Sequence, residues 1–310
     1  MSGFTIRSLP GRVHHWIEGL EAWGREEHRR LEGQTPLPLE GETLAYSPQG
    51  SKELFWVTNT WQSPVEIHFT SITDAAQALR SLGALWSPVP GRFHRRAALI
   101  QEKLPYLSLK PKSFPFRLPS APLGAWTLLN ETTLWASPVC TNPFPEGKPP
   151  LLENKLDPPS SAYAKLQEAL LYYGAVPQPG DLCLDAGAAP GGWTWVLLNL
   201  GARVMSFDRA PLDVRLSHHP GLTHRQQDAF TLKPEHVDPL DWFVCDVVCY
   251  PAKLWDWLQA WLDSGKVEHF IVTIKMQGEP DWETLERFAH VPGSRLRHLA
   301  HNKHELTWML

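Results

Sequence analysis

The sequence of 310 residues has few cysteines, no long apolar run and no excess of positive charge. Four cysteines are too few for a disulfide framework, and Cys183 and Cys245 lie inside apolar runs, which favours buried free thiols. No stretch approaches the roughly 20 apolar residues of a membrane span, and the N terminus lacks the pattern of a signal peptide. These absences argue against a membrane-spanning or secreted scaffold and predict a cytoplasmic protein.

The net charge of −4 gives no overall signature of nucleic-acid binding, but positive charge is concentrated between residues 92 and 117. This segment holds seven basic residues and one acidic residue, Glu102. Aromatic residues are interleaved with them: Phe93, Tyr106, Phe114 and Phe116. Basic side chains neutralise phosphates and aromatic rings stack on bases, although a solvated basic face with core aromatics explains the pattern equally well. The candidate RNA-binding residues are Arg92, Arg95, Arg96, Lys110, Lys112 and Arg117.

A proline-rich stretch divides the chain, because prolines cluster between residues 138 and 159. Proline removes backbone donors and restricts the residue before it, so we expect an extended linker over residues 137–159. The preceding part shows a helix pattern at residues 73–82 and an amphipathic helix pattern at residues 13–31. It also shows short strand patterns at residues 54–58, 65–69, 125–129 and 133–136. Residues 1–136 are therefore predicted to form a smaller α+β domain for RNA binding or substrate recognition.

After residue 160, strand and helix patterns alternate regularly. Strands are predicted at 182–185, 203–208, 242–246, 269–275 and 304–309, and helices at 161–173, 193–200, 252–263 and 281–290. This alternation predicts an α/β domain over residues 160–310, with a mostly parallel sheet and helices on both faces. Ligands of such sheets bind beyond the carboxyl ends of the strands. Trp255, Trp257 and Trp261 are expected to pack on the sheet.

A glycine-containing loop, Asp185-Ala-Gly-Ala-Ala-Pro-Gly-Gly-Trp193, joins a predicted strand to a predicted helix. Gly187 allows a tight turn and close backbone approach to a ligand, and the helix start offers free N–H groups. The spacing departs from the Gly-x-Gly-x-x-Gly of dinucleotide sites. Asp208 ends the next predicted strand, where it could bind a ribose hydroxyl. Asp228 lies in a later loop, where it could bind an adenine amino group. The candidate cofactor-binding residues are Asp185, Gly187, Ala188, Pro190, Gly191, Gly192, Trp193, Asp208, Asp228 and Asp246.

This loop resembles the first motif of the FtsJ-type ribose 2′-O-methyltransferases, a Rossmann-like family that uses S-adenosyl-L-methionine. The likeness continues through Asn142-Pro-Phe-Pro-Glu-Gly-Lys-Pro, Ala162-Tyr-Ala-Lys-Leu-Gln-Glu-Ala, Trp242-Phe-Val-Cys-Asp with Pro251-Ala-Lys, and His301-Asn-Lys-His-Glu-Leu-Thr. Within the family, it is strongest to members that modify a cytidine of bacterial large-subunit (23S) ribosomal RNA. The resemblance implies a Rossmann-like methyltransferase domain acting on that RNA or on a ribosome-assembly intermediate.

The resemblance also implies a catalytic tetrad of Lys165, Asp246, Lys275 and Glu305. Asp246 and Lys275 end apolar strands, which would place them in the ligand crevice, although exposed strand-end charges are common. The implied reaction is in-line transfer of a sulfonium methyl group to a ribose 2′-hydroxyl, without a metal. We hypothesise that Lys275 takes or polarises the hydroxyl proton and that Lys165 favours the neutral form of Lys275. Asp246 would hold Lys275 and the methionine portion, and Glu305 would orient the lysines or the ribose.

Two stretches of the chain depart from the family pattern. Ser160-Ser161 stands where the family commonly has Ser-Arg, so an arginine that could contact RNA phosphate is missing. The part before residue 135 carries little likeness to the RNA-binding module that precedes the catalytic domain in the family.

His298, His301 and His304 recur at every third position before Glu305, and loop histidines near RNA, or solvated ones, explain them better than a metal cluster.

Three other functions are compatible with the sequence. The substrate could be transfer RNA or messenger RNA, or a small molecule, or the chain could be an inactive RNA-binding homologue that retains the fold. The basic segment at residues 92–117 favours RNA over a small molecule. Residues at all four tetrad positions argue against loss of catalysis.

Overall fold

The computed structural model describes residues 3–39 and 43–310, whose contacts divide the chain into two compact units. The N-terminal unit comprises Met1–Lys110 and Leu118–Pro150, and the C-terminal unit comprises Pro111–Arg117 and Leu151–Leu310. The segment predicted as a linker is therefore shared between the units at Pro150. Its first residues pair with a strand of the N-terminal unit, because the N–H of Gln62 donates to Val139 O and the N–H of Thr141 donates to Thr60 O.

Over its described residues, the N-terminal unit mixes short strands with three helices. Its strands are β1 (Phe4–Ser8), β2 (Arg12–Trp16), β3 (Leu37–Pro38), β4 (Leu44–Ser47), β5 (Val57–Trp61), β6 (Val65–Phe69), β7 (Leu85–Pro88), β8 (Leu123–Leu128) and β9 (Thr133–Ser137). Its helices are α1 (Glu21–Glu32), α2 (Ile72–Leu82) and α3 (His94–Gln101). One sheet has the order β1-β6-β9-β8-β7 and the other the order β3-β4-β2-β5. The unit is thus α+β, and β8 and β9 form the predicted hairpin.

Two sequence expectations for this unit are wrong. Residues 13–31 form β2 and then α1, not one amphipathic helix. The spacing of Val13, Trp16, Ile17 and Leu20 imitates a helical face, but all four are buried around a strand and the turn that follows it. The strand expected at residues 54–58 begins only at Val57. Before it, the N–H groups of Phe55 and Trp56 donate to the buried carboxylate of Glu27 and not to a neighbouring strand.

The C-terminal unit is built on one seven-stranded sheet. Its strands are β10 (Leu182–Ala186), β11 (Arg203–Asp208), β12 (Leu222–Gln226), β13 (Leu240–Cys245), β14 (Val267–Lys275), β15 (Arg295–Arg297) and β16 (Glu305–Met309). Its helices are α4 (Tyr163–Tyr173), α5 (Gly192–Asn199), α6 (Pro251–Ser264) and α7 (Trp282–Ala289). The order is β12-β11-β10-β13-β14-β16-β15, parallel from β12 to β14 and antiparallel at β16 and β15.

Helices cover both faces of this sheet. Phe243 of β13 contacts Trp261 of α6, and its register partner is Phe270 on the same face. The adjacent residue Trp242 points to the opposite face, where it contacts Tyr173 at the end of α4. The predicted α/β architecture is thereby confirmed, as is the packing on the sheet of Trp257 and Trp261, which both contact Phe243, whereas Trp255 contacts Phe288 of α7. Within the described ranges, no helix is both long and apolar enough to cross a membrane.

Candidate active site

Five charged residues lie at one end of five adjacent strands of the C-terminal sheet. Asp208 is the last residue of β11, Asp185 is next to last in β10, Asp246 follows β13, and Lys275 ends β14. β16 runs antiparallel, so its first residue, Glu305, reaches this same end and pairs in register with Lys275. Adjacent strands lie about 4.8 Å apart, so this order places the five side chains in a row.

Lys165, on the first turn of α4, joins two members of this row. Its Nζ lies 3.1 Å from Asp246 Oδ1 and 2.6 Å from Glu305 Oε1. The side chains of Lys165 and Glu305 are each 9% exposed, so the ion pairs are largely desolvated. A buried charge is stable only when it is paired, which here requires all three residues to be in place.

Asp246 connects this pair to Lys275. The Nζ of Lys275 lies 3.0 Å from Asp246 Oδ1 and donates to the backbone carbonyl of Asp246 at 2.7 Å. The hydroxyl of Thr273, one pleat earlier on β14, donates to Asp246 Oδ1 at 2.6 Å. The four residues that the family resemblance selected therefore form one contact network, and Thr273 is a member that the sequence did not reveal.

The network fixes the charge of its buried members. Burial alone would lower the pKa of Lys165, but the carboxylates of Asp246 and Glu305 outweigh it and raise the pKa above its ordinary value. Burial would raise the pKa of Asp246, but the ammonium groups of Lys165 and Lys275 outweigh it and lower that pKa. Lys165 is thus held as an ammonium and Asp246 as a carboxylate.

The glycine loop after β10 is fitted closely against the chain that follows Asp246. Gly187 has φ of 81°, a conformation that favours glycine, and a Cβ there would lie 3.0 Å from the Cα of Val247. Beneath the loop, Asp185 is fully buried; its Oδ2 accepts from the Thr194 hydroxyl, whereas its Oδ1 has no hydrogen-bond partner among residues 3–39 and 43–310. Burial, with smaller contributions from neighbouring carboxylates, raises the pKa of Asp185 to about 7.

The other predicted cofactor residues occupy different positions around this loop. Asp208 accepts the N–H groups of Ala189 and Ala210, which holds the loop to the end of β11. Asp228 caps a short 3-10 turn that follows β12 and accepts the N–H of Phe230. Ala188 is buried within the loop, and Pro190, Gly191 and Gly192 complete its passage into α5. The indole of Trp193 is buried and donates to the carbonyl of Ala162, so it connects α5 to the start of α4.

The basic segment at residues 92–117 is divided between the two units. Arg92, Arg95 and Lys110 are exposed in the N-terminal unit, where Arg96 lies over the ring of Phe69. Phe93 packs against the core of that unit, as the alternative interpretation of these aromatics supposes. Lys112 and Arg117 are exposed in the C-terminal unit, where Lys112 lies over the ring of Phe116. A role of these residues in RNA binding stays a prediction.

The match to a family model lies within the C-terminal unit. Residues 159–269 match the family model for FtsJ-like methyltransferases. Ribosomal RNA large subunit methyltransferase M of Xylella fastidiosa strain M12 is 37% identical over 172 residues, which cover 51% of this chain and 48% of the relative. The protein of the same name from Thauera aminoaromatica is 32% identical over 198 residues, which cover 58% and 54%. The chain thus spans about half the length of the curated relatives that it matches.

Solved structures resemble the chain over a comparable share. The fibrillarin of Aeropyrum pernix, in complex with S-adenosyl-L-methionine, is 19% identical with a TM-score of 0.34, covering 48% of this chain and 76% of that one. The fibrillarin of Methanococcus jannaschii, a pre-rRNA processing protein, is 15% identical with a TM-score of 0.37, covering 49% and 75%. By the family model and the curated relatives, residues 159–269 of this chain are similar to the FtsJ-like methyltransferases.

Proposed function

We propose that the chain is an S-adenosyl-L-methionine-dependent RNA ribose 2′-O-methyltransferase that acts on a cytidine of large-subunit ribosomal RNA. The observation that carries this proposal is the network of Lys165, Asp246, Lys275 and Glu305 at the carboxyl end of the sheet. The names of the curated relatives support ribosomal RNA as the substrate class. The choice of cytidine and of the 2′-hydroxyl comes from the family resemblance.

The residues beside the network fit the methyl donor. The buried Oδ1 of Asp185 lacks a partner in the part of the chain that the structure describes, so it can accept a hydrogen bond from a polar ligand group. Gly187 keeps the adjoining backbone free of side-chain bulk, and Asp208 and Asp228 follow the next two strands, where nucleoside hydroxyl and amino groups can be bound. When bound, the cofactor supplies an electrophilic methyl group on a positively charged sulfur.

The two lysines have different parts in handling the single proton of the reaction. Lys165 is held as an ammonium between two carboxylates, which makes it a poor proton acceptor. Lys275 contacts only Asp246 within the network, and its side chain is 18% exposed, twice the value for Lys165. Its Nζ is therefore the atom that polarises the 2′-hydroxyl or accepts its proton, while Asp246 fixes its position.

The experiment is transfer of a radioactive methyl group from labelled cofactor to unmodified total RNA by wild-type protein and by Lys275→Ala. We expect label in large-subunit ribosomal RNA with wild type and none with the variant, which should bind the cofactor nearly as well as wild type. Lys233→Ala, at an exposed lysine after β12, is the matched control and should retain transfer. Turnover by Lys275→Ala would contradict the role of Lys275.

The same assay separates the alternatives. Label in transfer or messenger RNA would change the substrate, and cofactor binding without transfer to any RNA would indicate an inactive homologue. Reverse-transcription stops on the labelled RNA would then locate the modified nucleotide. A stop at a residue other than cytidine would overturn the finer assignment and leave the methyltransferase activity standing.

A further inference from the structure

The connection between β15 and β16, residues 298–304, leads directly into Glu305. It contains His298, His301, Lys303 and His304 and no acidic residue, and we call it the basic loop. Two arginines precede it in β15, so the charge of this part of the chain is of one sign. In RNA each ribose is joined to a phosphate on either side, so positive charge next to the proposed ribose site lies close to backbone phosphates of the bound RNA.

The basic loop is tied to the helix that carries Lys165. Glu168, three residues after Lys165 on α4, is fully buried and accepts the N–H groups of Ala300 and His301 at 2.8 and 3.0 Å. Its Oε2 also lies 2.5 Å from Nδ1 of His301. Since residues three apart share one side of a helix, the same side of α4 positions both a tetrad lysine and this loop.

The loop is also fixed from within. The buried Asn302 accepts the N–H of Leu299 and the hydroxyl of Thr307 through its Oδ1. The carbonyl of His304 accepts the N–H of Met276, the residue after Lys275. These bonds hold the backbone of the loop at a set position beside the tetrad, so its side chains are preorganised for a ligand.

Three of the four exposed residues of this fixed loop carry side-chain nitrogens. His301, Lys303 and His304 are exposed together with Ala300, whereas Leu299 and Asn302 are buried. The imidazole of His301 is 38% exposed, and its contact with Glu168 through Nδ1 orients the opposite edge of the ring, Nε2. Because Nδ1 donates to Glu168, Nε2 donates to a phosphate oxygen in the imidazolium form of the ring, and the ammonium of Lys303 is a second donor.

We propose that the basic loop binds the backbone phosphate of the RNA strand next to the ribose that enters the tetrad, through His301 and Lys303. This inference rests on the proposed function, because it names the part of the same site that holds the substrate strand. It assigns Glu168 as a positioning residue, which acts through His301 without contacting RNA. It also places phosphate recognition at residues outside the basic segment predicted at 92–117.

The test is the dissociation constant of a labelled single-stranded RNA oligonucleotide, measured over a series of salt concentrations. Each phosphate that a variant can no longer bind should reduce the magnitude of the slope of log affinity against log salt by about 0.7. Lys303→Gln and His301→Gln should therefore weaken binding several-fold at low salt and flatten the slope. Lys233→Gln, an exposed lysine next to the opposite edge strand of the sheet, should leave both quantities unchanged.

Glu168→Gln tests the positioning role. If Glu168 acts through His301, the effects of Glu168→Gln and His301→Gln on RNA affinity should not add in the double variant. Additive losses would overturn that role, because a general loss of folding stability would not depend on His301. Cofactor affinity, measured by calorimetry, should stay at the wild-type value in all of these variants.

The outcomes distinguish this inference from the function on which it rests. Wild-type methyl transfer to RNA, combined with unchanged affinity and salt slope in Lys303→Gln and His301→Gln, would overturn the basic-loop site alone. Salt-sensitive RNA binding that depends on Lys303, without methyl transfer by wild type, would overturn the catalytic function and support the loop site. Absence of RNA binding by wild type would overturn both.

Discussion

Lys165 is the residue that couples stability to the charge balance of the tetrad. Its removal would leave Asp246 and Glu305, both carboxylates, without the cation that they share. Breaking a buried ion pair by deleting one partner costs about 3 to 5 kcal/mol. We expect Lys165→Met to lower the free energy of unfolding of the C-terminal unit by an amount at the lower end of that range.

Urea unfolding followed by tryptophan fluorescence measures this loss. Lys275→Met is the comparison, because Asp246 retains Lys165 as a partner in that variant and Glu305 keeps its own ion pair. Its loss of stability should be smaller. Equal losses in the two variants would show that Lys165 does not have the central place that its two ion pairs suggest.

The raised pKa of Asp185 predicts that the stability of the C-terminal unit depends on pH. Because its pKa is raised to about 7 by burial, the folded cofactor-free unit retains a proton that the unfolded chain releases near its ordinary value. The contribution of Asp185 to stability is therefore present below about pH 4 and is lost as the pH rises to about 7. Asp185→Asn should flatten this part of the curve of melting temperature against pH.

A cationic ligand group near Asp185 would favour the carboxylate and release the proton. We therefore expect the affinity for the cofactor to increase from about pH 6 to about pH 8 in wild type and to change less in Asp185→Asn. Titration calorimetry measures both proteins. A wild-type affinity that is constant over this interval would show that the free Oδ1 of Asp185 does not face the ligand's positive charge.

At the scale of elements, the turn after β10 predicts a steric effect on the site. Gly187→Ala would add a Cβ at 3.0 Å from the backbone of Val247, directly after Asp246. Gly174, at the end of α4, also has a positive φ, but a Cβ there would meet no atom within 4 Å. Both variants share a backbone strain of about 1 kcal/mol, so a difference between them in cofactor affinity or methyl transfer is due to the contact with Val247.

We expect Gly187→Ala to lose cofactor affinity and methyl transfer by roughly tenfold or more, and Gly174→Ala to retain both. Equilibrium binding and single-turnover transfer with the two variants measure this. Equal behaviour would mean that the segment after Asp246 moves aside without consequence for the site.

The central strands of the C-terminal sheet could be predicted because they are apolar runs of ordinary length. The two that were missed, β12 and β15, are edge strands, and their sequences Leu-Thr-His-Arg-Gln and Arg-Leu-Arg have too few apolar residues to show a pattern. In the N-terminal unit, β2 was missed because His14 is a buried polar residue whose place is set by pairing with distant strands. Local periodicity contains no information about such partners.

In the candidate site, too, the sequence could not reveal contacts between residues that are distant along the chain. Strand ends predicted the row of charges, and the family resemblance selected the tetrad, because both depend on residue type and position. Glu168 stands in the same motif as Lys165, and its signal was an acidic residue within an apolar helix segment. Its partners, Ala300 and His301, are far away in sequence, so only the fold could identify them.

At the scale of the whole molecule, the two units should respond differently to acid. Burial lowers the pKa of His14 to about 3 and that of His15 to about 4, and it also lowers the pKa of His28. Their contribution to the stability of the N-terminal unit is present above about pH 6.5 and is lost as the pH falls toward about 4. Burial raises the pKa of Glu27 to about 8, and this contribution has the opposite sign, being lost as the pH rises. Three histidines outweigh one carboxyl group between about pH 6.5 and about pH 4.5.

We therefore expect acidification to lower the melting temperature of the N-terminal unit before that of the C-terminal unit. Calorimetry over this interval should resolve the two transitions. His14→Gln, which can keep a hydrogen bond to the Thr60 hydroxyl without titrating, should reduce the acid sensitivity. His94→Gln, at an exposed position of the same unit, is the control and should leave it unchanged.

The antiparallel strand β16 has a consequence for the order in which the proposed active site forms during synthesis. The strands that carry Asp185 and Asp208 leave the ribosome well before Glu305, and β16 must then insert between β14 and β15. A nascent chain could thus form its nucleotide pocket while the fourth member of the tetrad is still inside the exit tunnel. On the proposed function, methyl transfer would then begin only after β16 has paired with β14 and β15 and brought Glu305 beside Lys165.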